Sequence, residues 1–470
     1  MGQEISHAQF AEEDSRRFMA RVAAETGLLS DWVARGACDD RSFVIGFELE
    51  AWLLDHNFFP YPINEQYLAR LANSLVVPEL SRFNVELNGT PQRLGAGAFA
   101  AMERELAGTW DDCQRAAHDL EGTLVAIGIL PTIRKKDLTL RNISPLKRYA
   151  ALNAQVTAAR GGRPLAIDIA GREHLRTLHD DVMLEAATTS FQVHLQVPAS
   201  QLARHYNASV ALAAPMVAAS ANAPFLFGRD LWAETRVPLF EQAVDCGEAA
   251  ARVTFGSGYL EDDCCAPFRE NLERFVPLLP LLSDAAPESL AHLRLHNGTI
   301  WRWNRLLAGC DTGAPPHLRI EHRVMAAGPT ILDMMANAAL YVGAAHELAS
   351  NAHGPEAWLP FALARDNFYR AAREGLDAEL AWRGAARVSA RELVHEELVP
   401  LAHAGLARLG VSESERDRYL DVTAARVRSR QNGASWQRAH AARYGRDLFR
   451  LVAEYLEHQR SGMPVHEWDV

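Results

Sequence analysis

Ile45-Gly46-Phe47-Glu48-Leu49-Glu50-Ala51-Trp52 is the stretch from which this chain is best read. Ile45, Phe47, Leu49 and Ala51 alternate with Gly46, Glu48, Glu50 and Trp52, and a period of two sets the two files on opposite faces of a β-strand. The pattern recurs at Arg82–Asn88, where Asn84 and Glu86 alternate with Phe83, Val85 and Leu87. It recurs at Ser190–Val197, where Gln192, His194 and Gln196 alternate with Phe191, Val193, Leu195 and Val197. In Leu318–Met325, Arg319, Glu321 and Arg323 alternate with Leu318, Ile320, His322 and Val324. These strands share an apolar back and a charged front. Carboxylates gathered on one face repel unless a cation bridges them, and a divalent ion with phosphate satisfies acids and arginines together. That combination points to a metal–nucleotide site.

The chain is 470 residues long and 48% hydrophobic, enough for a large core without disulfide or metal staples. A net charge of −11 and the lack of a long Lys/Arg block argue against nucleic acid and anionic membrane as partners. No apolar run is long enough to span a bilayer, and the first residues lack a basic-then-apolar leader pattern. Cys38, Cys113, Cys246, Cys264, Cys265 and Cys310 show no paired metal spacing and read as reduced core thiols, so a cytoplasmic protein is expected.

Periodicity and caps predict helices over 7–36, 64–76, 97–127, 201–222 and from Thr330 or Asp333 to about 349. Strands are predicted over 42–54, 82–88, 190–197, 299–305 and 317–325. Ile133–Arg148 reads as a basic loop, and 223–264, rich in Pro, Gly and aromatics, as an ordered loop over a site. Beyond Asn351-Ala352-His353-Gly354-Pro355 the texture becomes Ala, Leu, Arg and Glu at helical spacing with almost no strand signal. The expected organisation is a catalytic body over 1–350, with a helical lead-in at 1–40, and a helical region over 351–470 packed on it.

Each candidate residue has a plainer reading beside the functional one. Glu48 and Glu50 form either a solvent-exposed sheet face with acids facing water or a metal site; the bulky apolar file behind them, and Trp52 on their own face, favour metal. Glu86 lies on an alternating strand and extends that oxygen-rich set, whereas Glu79, after Pro78, is a ligand or a simple loop acid. His194 is a structural histidine or a ligand, and the acidic strands elsewhere favour the ligand. Glu321 and Arg323 are an ion pair, or they divide between metal and phosphate. Trp301, Trp303 and Arg305 share a face that floors a nucleotide pocket or packs in the core; spacing does not choose between these. Arg229 and Arg236, in the aromatic loop, are solvated or supply charge to a phosphoryl group. No Gly-rich phosphate loop is present, so nucleotide use would rest on sheet-borne metals.

Taken in order, Gly46-Phe47-Glu48-Leu49-Glu50, Phe83-Asn84-Val85-Glu86-Leu87-Asn88, Lys147-Arg148-Tyr149, Phe191-Gln192-Val193-His194, Ala221-Asn222-Ala223-Pro224-Phe225, Trp301-Arg302-Trp303-Asn304-Arg305 and Leu318-Arg319-Ile320-Glu321-His322-Arg323 resemble the glutamate–cysteine ligase family of the second type, the carboxylate–amine ligases. More distantly they resemble the glutamine synthetase superfamily. Asp333-Met334-Met335-Ala336-Asn337-Ala338-Ala339-Leu340 resembles the helix that follows the Glu–Arg strand there. The resemblance implies an α+β fold, a curved antiparallel sheet forming a funnel with helices packed outside. It implies ATP held by two or three Mg²⁺ ions, with Mn²⁺ as the alternative. Glu48, His194 and Glu321 would hold one metal; Glu50, Glu86 and Glu79 would hold another. Arg323, Arg305 and Arg236 would contact phosphates or substrate carboxylates.

The function so implied is an ATP-dependent ligase that phosphorylates a carboxylate, usually the γ-carboxylate of glutamate, for attack by an amine such as cysteine. A metal-dependent hydrolase and a non-catalytic ligand sensor are the competing readings. The helical tail is expected to close the site, support a homo-oligomer or regulate, and the sequence does not choose the amine or its general base.

Overall fold

In the computed structural model, which describes residues 5, 10–247, 250–310, 313–384 and 386–470, the alternating stretches form the centre of one eight-stranded sheet. In chain order the strands are β1 (Val44–Asp55), β2 (Val76–Pro78), β3 (Asn84–Asn88), β4 (Gln92–Arg93), β5 (Gly122–Val125), β6 (Leu165–Ala170), β7 (His174–His179), β8 (Phe191–Gln196), β9 (Phe225–Leu226), β10 (Arg229–Asp230), β11 (Val253–Thr254), β12 (Trp301–Arg302), β13 (Asn304–Gly309) and β14 (His317–His322). The main path runs β13-β14-β8-β1-β3-β2, and every pairing within this sheet is antiparallel. At 12 residues β1 is the spine. One of its edges pairs β8 and then β5; the other pairs β4 and then β3.

The helices are α1 (Glu12–Ala34), α2 (Asn64–Leu71), α3 (Ala98–His118), α4 (Lys147–Ala159), α5 (Leu202–Ser220), α6 (Arg236–Ala243), α7 (Ala266–Arg274), α8 (Ala291–Asn297), α9 (Ile331–Ser350), α10 (Phe361–Glu374), α11 (Ala390–Glu392), α12 (Val399–Arg408), α13 (Glu413–Ser429), α14 (Gly433–Tyr444) and α15 (Leu448–Ser461). Nearly every residue of α5 and α9 is buried, as expected of helices apolar all round. They lie between the sheet, through β8, β13 and β14, and an outer layer in which α10 covers α5 while α12 and α13 cover α9. The α9–α12 crossing needs two glycines: a Cβ on Gly405 would collide with the Gly343 carbonyl, and one on Gly343 with that of Ala402. With the back so covered, the charged front is the open side.

Several expected boundaries differ from the structure. The single helix over 97–127 ends at His118; Glu121 takes a φ of 60° and the next residues become β5, because the end of β1 has an edge to pair. The helix at 64 stops at Leu71, where Ala72 is left-handed, and leads into β2. The expected strand over 299–305 breaks at Trp303 into β12 and β13. The β6–β7 hairpin was not anticipated, and Glu379–Ala381 pairs with Arg387–Ser389 inside the region read as purely helical. The loop over 223–264 carries α6 as well as β9, β10 and β11. Residues 1–4 and 7–9, read for a leader and a helix start, lie outside the described residues. No described helix is long and apolar enough to cross a membrane.

Candidate active site

Antiparallel register turns separate sequence motifs into one charged row. Arg305 on β13 faces Glu321 on β14, which faces His194 on β8; on β1, Glu48 pairs with Gln192 and Asn88, and Glu50 with Glu86. His194 Nε2 lies 3.4 Å from Glu48 Oε1 and 3.7 Å from Glu321 Oε1. One ligand atom from each of the three falls within 4.8 Å of the others, and Nε2 is buried without a hydrogen-bond partner. A buried imidazole nitrogen aimed between two carboxylates is a ligand set for a divalent cation, so the residues present fit a metal. Arg319 Nε donates to the other ring nitrogen, Nδ1, at 3.2 Å and fixes the ring plane.

Glu321 is wholly buried and gripped at two points by Arg305, Nε to Oε2 at 2.7 Å and Nη2 to Oε1 at 2.9 Å. Arg323 Nη1 donates to Glu321 Oε2 at 3.1 Å and to Gln192 Oε1 at 2.5 Å. Burial alone would raise the Glu321 carboxyl, but Arg305, Arg323 and His194 hold it well below the usual carboxylate range. At Glu48 burial pushes the carboxyl up, and the adjacent His194 pulls it down.

These groups open on a cavity of about 460 Å³ that Glu50, Glu79, Glu86 and Glu185 also line. The Glu50 carboxylate accepts from the Ser190 amide at 2.7 Å and from Gln192 Nε2 at 2.9 Å. Burial, followed by the charge of Glu79, pushes its pKa up to about 7. Glu86 is raised well above the ordinary range by burial and then by Glu48, and Glu185 by burial and then by Glu79 and Glu50. Four carboxyls in one cavity, three of them with raised proton affinity, are under-compensated by the protein's own cations. Arg148 and Tyr149, at the start of α4, complete this end; Arg148 Nη2 donates to the Tyr149 hydroxyl at 2.6 Å.

Of the residues singled out in the sequence, Glu48, Glu50, Glu79, Glu86, His194, Arg305, Glu321 and Arg323 line this one cavity. Trp303 and Arg236 do not. Trp303 is the point where the chain leaves β11 for β14: its amide bonds the Thr254 carbonyl and its carbonyl accepts from the Arg323 amide. The break in the strand reverses its face, so its indole donates to Glu241 at 3.0 Å and sits against Phe240 and Phe368 in the core, while Trp301 stays on the cavity. Arg236 is buried, donating to Glu234 at 2.8 Å and to the Val324 carbonyl at 2.9 Å. Its charge still lowers the Glu50 pKa, but its Nε and Nη2 donate to Glu234 and the Val324 carbonyl.

Glu185 and Arg294 were not singled out beforehand. Glu185 lies in a 3₁₀ turn, Val182–Ala187, where no alternation exists; an acid alone among Val182, Met183, Leu184, Ala186 and Ala187 was the available signal. Arg294 lies on the short helix α8 and offered none.

Residues 44–459 match glutamate-cysteine ligase family 2 (GCS2). A Frankia casuarinae protein provisionally named glutamate–cysteine ligase 2-1 is 38% identical over 117 residues, 24% of this chain and 26% of that relative. A Frankia alni protein of the same provisional name is 32% identical over 162 residues, 31% and 37% of the two chains. The matched stretches thus span about a quarter to a third of these relatives. Among solved structures, the glutamate–cysteine ligase of Francisella tularensis in complex with AMP superimposes with a TM-score of 0.55 at 12% identity, covering 90% of each chain. A bifunctional glutathione synthetase from Pasteurella multocida gives 0.52 at 11% identity, covering 91% of this chain and 53% of that one. These two likenesses bear out the expected fold class, an α+β fold with an antiparallel sheet and helices packed outside it. The family match begins at β1 and runs through the whole charged row into α15, and on that extent the chain belongs to glutamate-cysteine ligase family 2.

Proposed function

We propose that the protein is an ATP- and Mg²⁺-dependent carboxylate–amine ligase, activating the γ-carboxylate of glutamate as an acyl phosphate that an amine such as cysteine attacks. The products are a γ-glutamyl amide, ADP and phosphate. One observation carries the reading: the unpartnered His194 Nε2 between Glu48 and Glu321, opening on a cavity that holds further carboxylates and arginines together. Membership of the family supports it over a hydrolase or a sensor. The nucleotide in the Francisella structure is consistent with it.

Glu48, His194 and Glu321 would hold one cation, and Glu50, Glu86 and Glu79 a second. Bound cations supply the charge that lets an anionic carboxylate approach an anionic phosphate. The chain's own groups do the positioning. Arg305 locks both oxygens of Glu321, so this carboxylate presents one fixed orientation to the cavity. Gln192 ties Glu50 to Arg323, donating to one and accepting from the other, so the two halves of the site move as one. Arg323, held at one nitrogen, keeps donors for a phosphoryl oxygen or a substrate carboxylate.

The test is ADP release by the full chain with Mg²⁺, ATP and glutamate, with and without a panel of amines led by cysteine. Amine-dependent ADP release with an amide product by mass spectrometry is expected. No release with any acid–amine pair overturns the ligase reading.

A further inference from the structure

β14 ends at His322, so the backbone that carries Arg323 to the cavity lies beyond the strand ladder. The Arg323 amide donates to the Trp303 carbonyl at 3.0 Å, and the Met325 carbonyl accepts from the Phe191 amide at 3.1 Å. Between them the Val324 carbonyl accepts from Arg236 Nη2 at 2.9 Å, a bond supplied by a side chain and not by a neighbouring strand. Arg236 is itself fixed, because its Nε donates to Glu234 Oε1 at 2.8 Å and both residues are buried. A guanidinium that joins a buried carboxylate to a buried carbonyl cannot swing away without stranding both.

The segment that carries Glu234 is held in turn by the C-terminal helices. Glu234 Oε2 accepts from the Asn222 amide at 3.1 Å. The Asn222 side chain accepts from Gln437 Nε2 of α14 at 2.9 Å, and it donates to the Tyr455 hydroxyl of α15 and to the Ala327 carbonyl, each at 2.8 Å. The Tyr455 hydroxyl donates onward to the Ala126 carbonyl at 2.9 Å. The Ala233 and Glu234 amides bond the Arg373 and Ala372 carbonyls, at the end of α10, at 3.1 and 2.8 Å. Asn222, Glu234, Arg236, Gln437 and Tyr455 are all buried, so a continuous hydrogen-bonded chain runs from α14 and α15 to the carbonyl next to Arg323.

We infer that Arg236 is a positioning residue, which sets Arg323 in the cavity by holding the Val324 carbonyl, and that α14 and α15 act on the site along this chain through Asn222 and Glu234. That Arg323 serves a ligase rests on the proposed function; the hydrogen-bonded chain does not.

Kinetics and thermal melting of the full chain, read side by side, test this. Arg236→Met should lower kcat for amine-dependent ADP release about tenfold or more and lower the melting temperature. Glu234→Gln/Arg236→Met leaves no stranded buried charge, so it should regain most of the melting temperature yet stay as slow, because the Val324 carbonyl still lacks its donor. A kcat that recovers together with the melting temperature makes Arg236 merely structural and overturns the inference. In an Arg323→Lys background Arg236→Met should cost little more, whereas losses that multiply in full overturn it. Tyr455→Phe, which keeps the ring, should slow wild type severalfold and leave Arg236→Met no slower; equal slowing of both overturns the part assigned to α14 and α15. If Arg236→Met does not fold by circular dichroism, the double variant and Tyr455→Phe against Arg323→Lys carry the test. Wild type that releases no ADP with any acid–amine pair removes the ligase reading, and the same cycle is then measured as Mg·ATP binding by calorimetry. There a loss shared by Arg236→Met and Arg323→Lys keeps the inference, while independent losses, or no binding by wild type, overturn it.

Discussion

Replacing Arg305 with Met removes one half of a two-point ion pair whose carboxylate side chain is 1% exposed. The buried Glu321 then loses hydrogen bonds of 2.7 and 2.9 Å and keeps only Arg323 at 3.1 Å. Breaking a buried pair from one side costs about 3–5 kcal/mol, and the remaining arginine sets the expectation at the lower end, about 3 kcal/mol. A divalent cation beside Glu48, His194 and Glu321 would replace the missing charge. The variant should therefore gain more from Mg²⁺ than wild type does, on a scale of about 2–3 kcal/mol at a hundredfold excess over Kd. Urea denaturation followed by far-UV circular dichroism, in EDTA and in saturating Mg²⁺, measures both quantities. Arg305→Met/Glu321→Gln should recover stability in EDTA and lose the extra response to Mg²⁺. A deficit below about 1 kcal/mol in EDTA would refute the burial argument. An equal deficit with and without Mg²⁺ would refute the cation site.

Glu48→Gln, His194→Gln and Glu321→Gln should each abolish Mg²⁺-dependent ADP release while leaving the far-UV spectrum intact; wild-type rates in all three would remove the metal assignment. Trp303→Phe should lower the melting temperature yet leave the KM for ATP unchanged, because its indole faces Glu241 and the core, whereas Trp301→Ala should raise that KM. Gly405→Ala should destabilise by about 1–3 kcal/mol, read as a lower urea midpoint, by forcing α12 off α9. Burial, with smaller contributions from His346 and Arg204, lowers the pKa of His205 from 6.5 to about 4. Its folded value lies below its unfolded one, so the stability it carries is complete above about pH 6.5 and is lost as pH falls through about 4, roughly 3 kcal/mol in all. The difference in unfolding free energy between wild type and His205→Gln should therefore change over that window and be flat above it.

Glu48, Glu50, Glu86, His194, Arg305, Glu321 and Arg323 meet on one cavity, because a period of two states which side chains share a face before any partner strand is known. The acids of β1 and β3, His194 of β8 and the Glu–Arg pair of β14 were legible in this way. Register and partner were not. That Glu321 sits opposite His194 depends on a pairing between strands far apart in the chain, as does the use of the last residues of β1 to recruit β5, and Arg305 meets Glu321 through the register of the neighbouring strands β13 and β14. Trp303 left its expected face because the strand changes partner at that residue, and Arg236 lies outside the cavity with Nε and Nη2 held by Glu234 and the Val324 carbonyl. Glu185 and Arg294 lie in a 3₁₀ turn and a short helix, where spacing carries no facial information, and only packing brings them to the cavity. Local sequence determined the strands and their charged faces; the tertiary structure decided which charges meet, since an ion pair, a ligand set or a cavity wall exists only where distant backbone segments are held side by side.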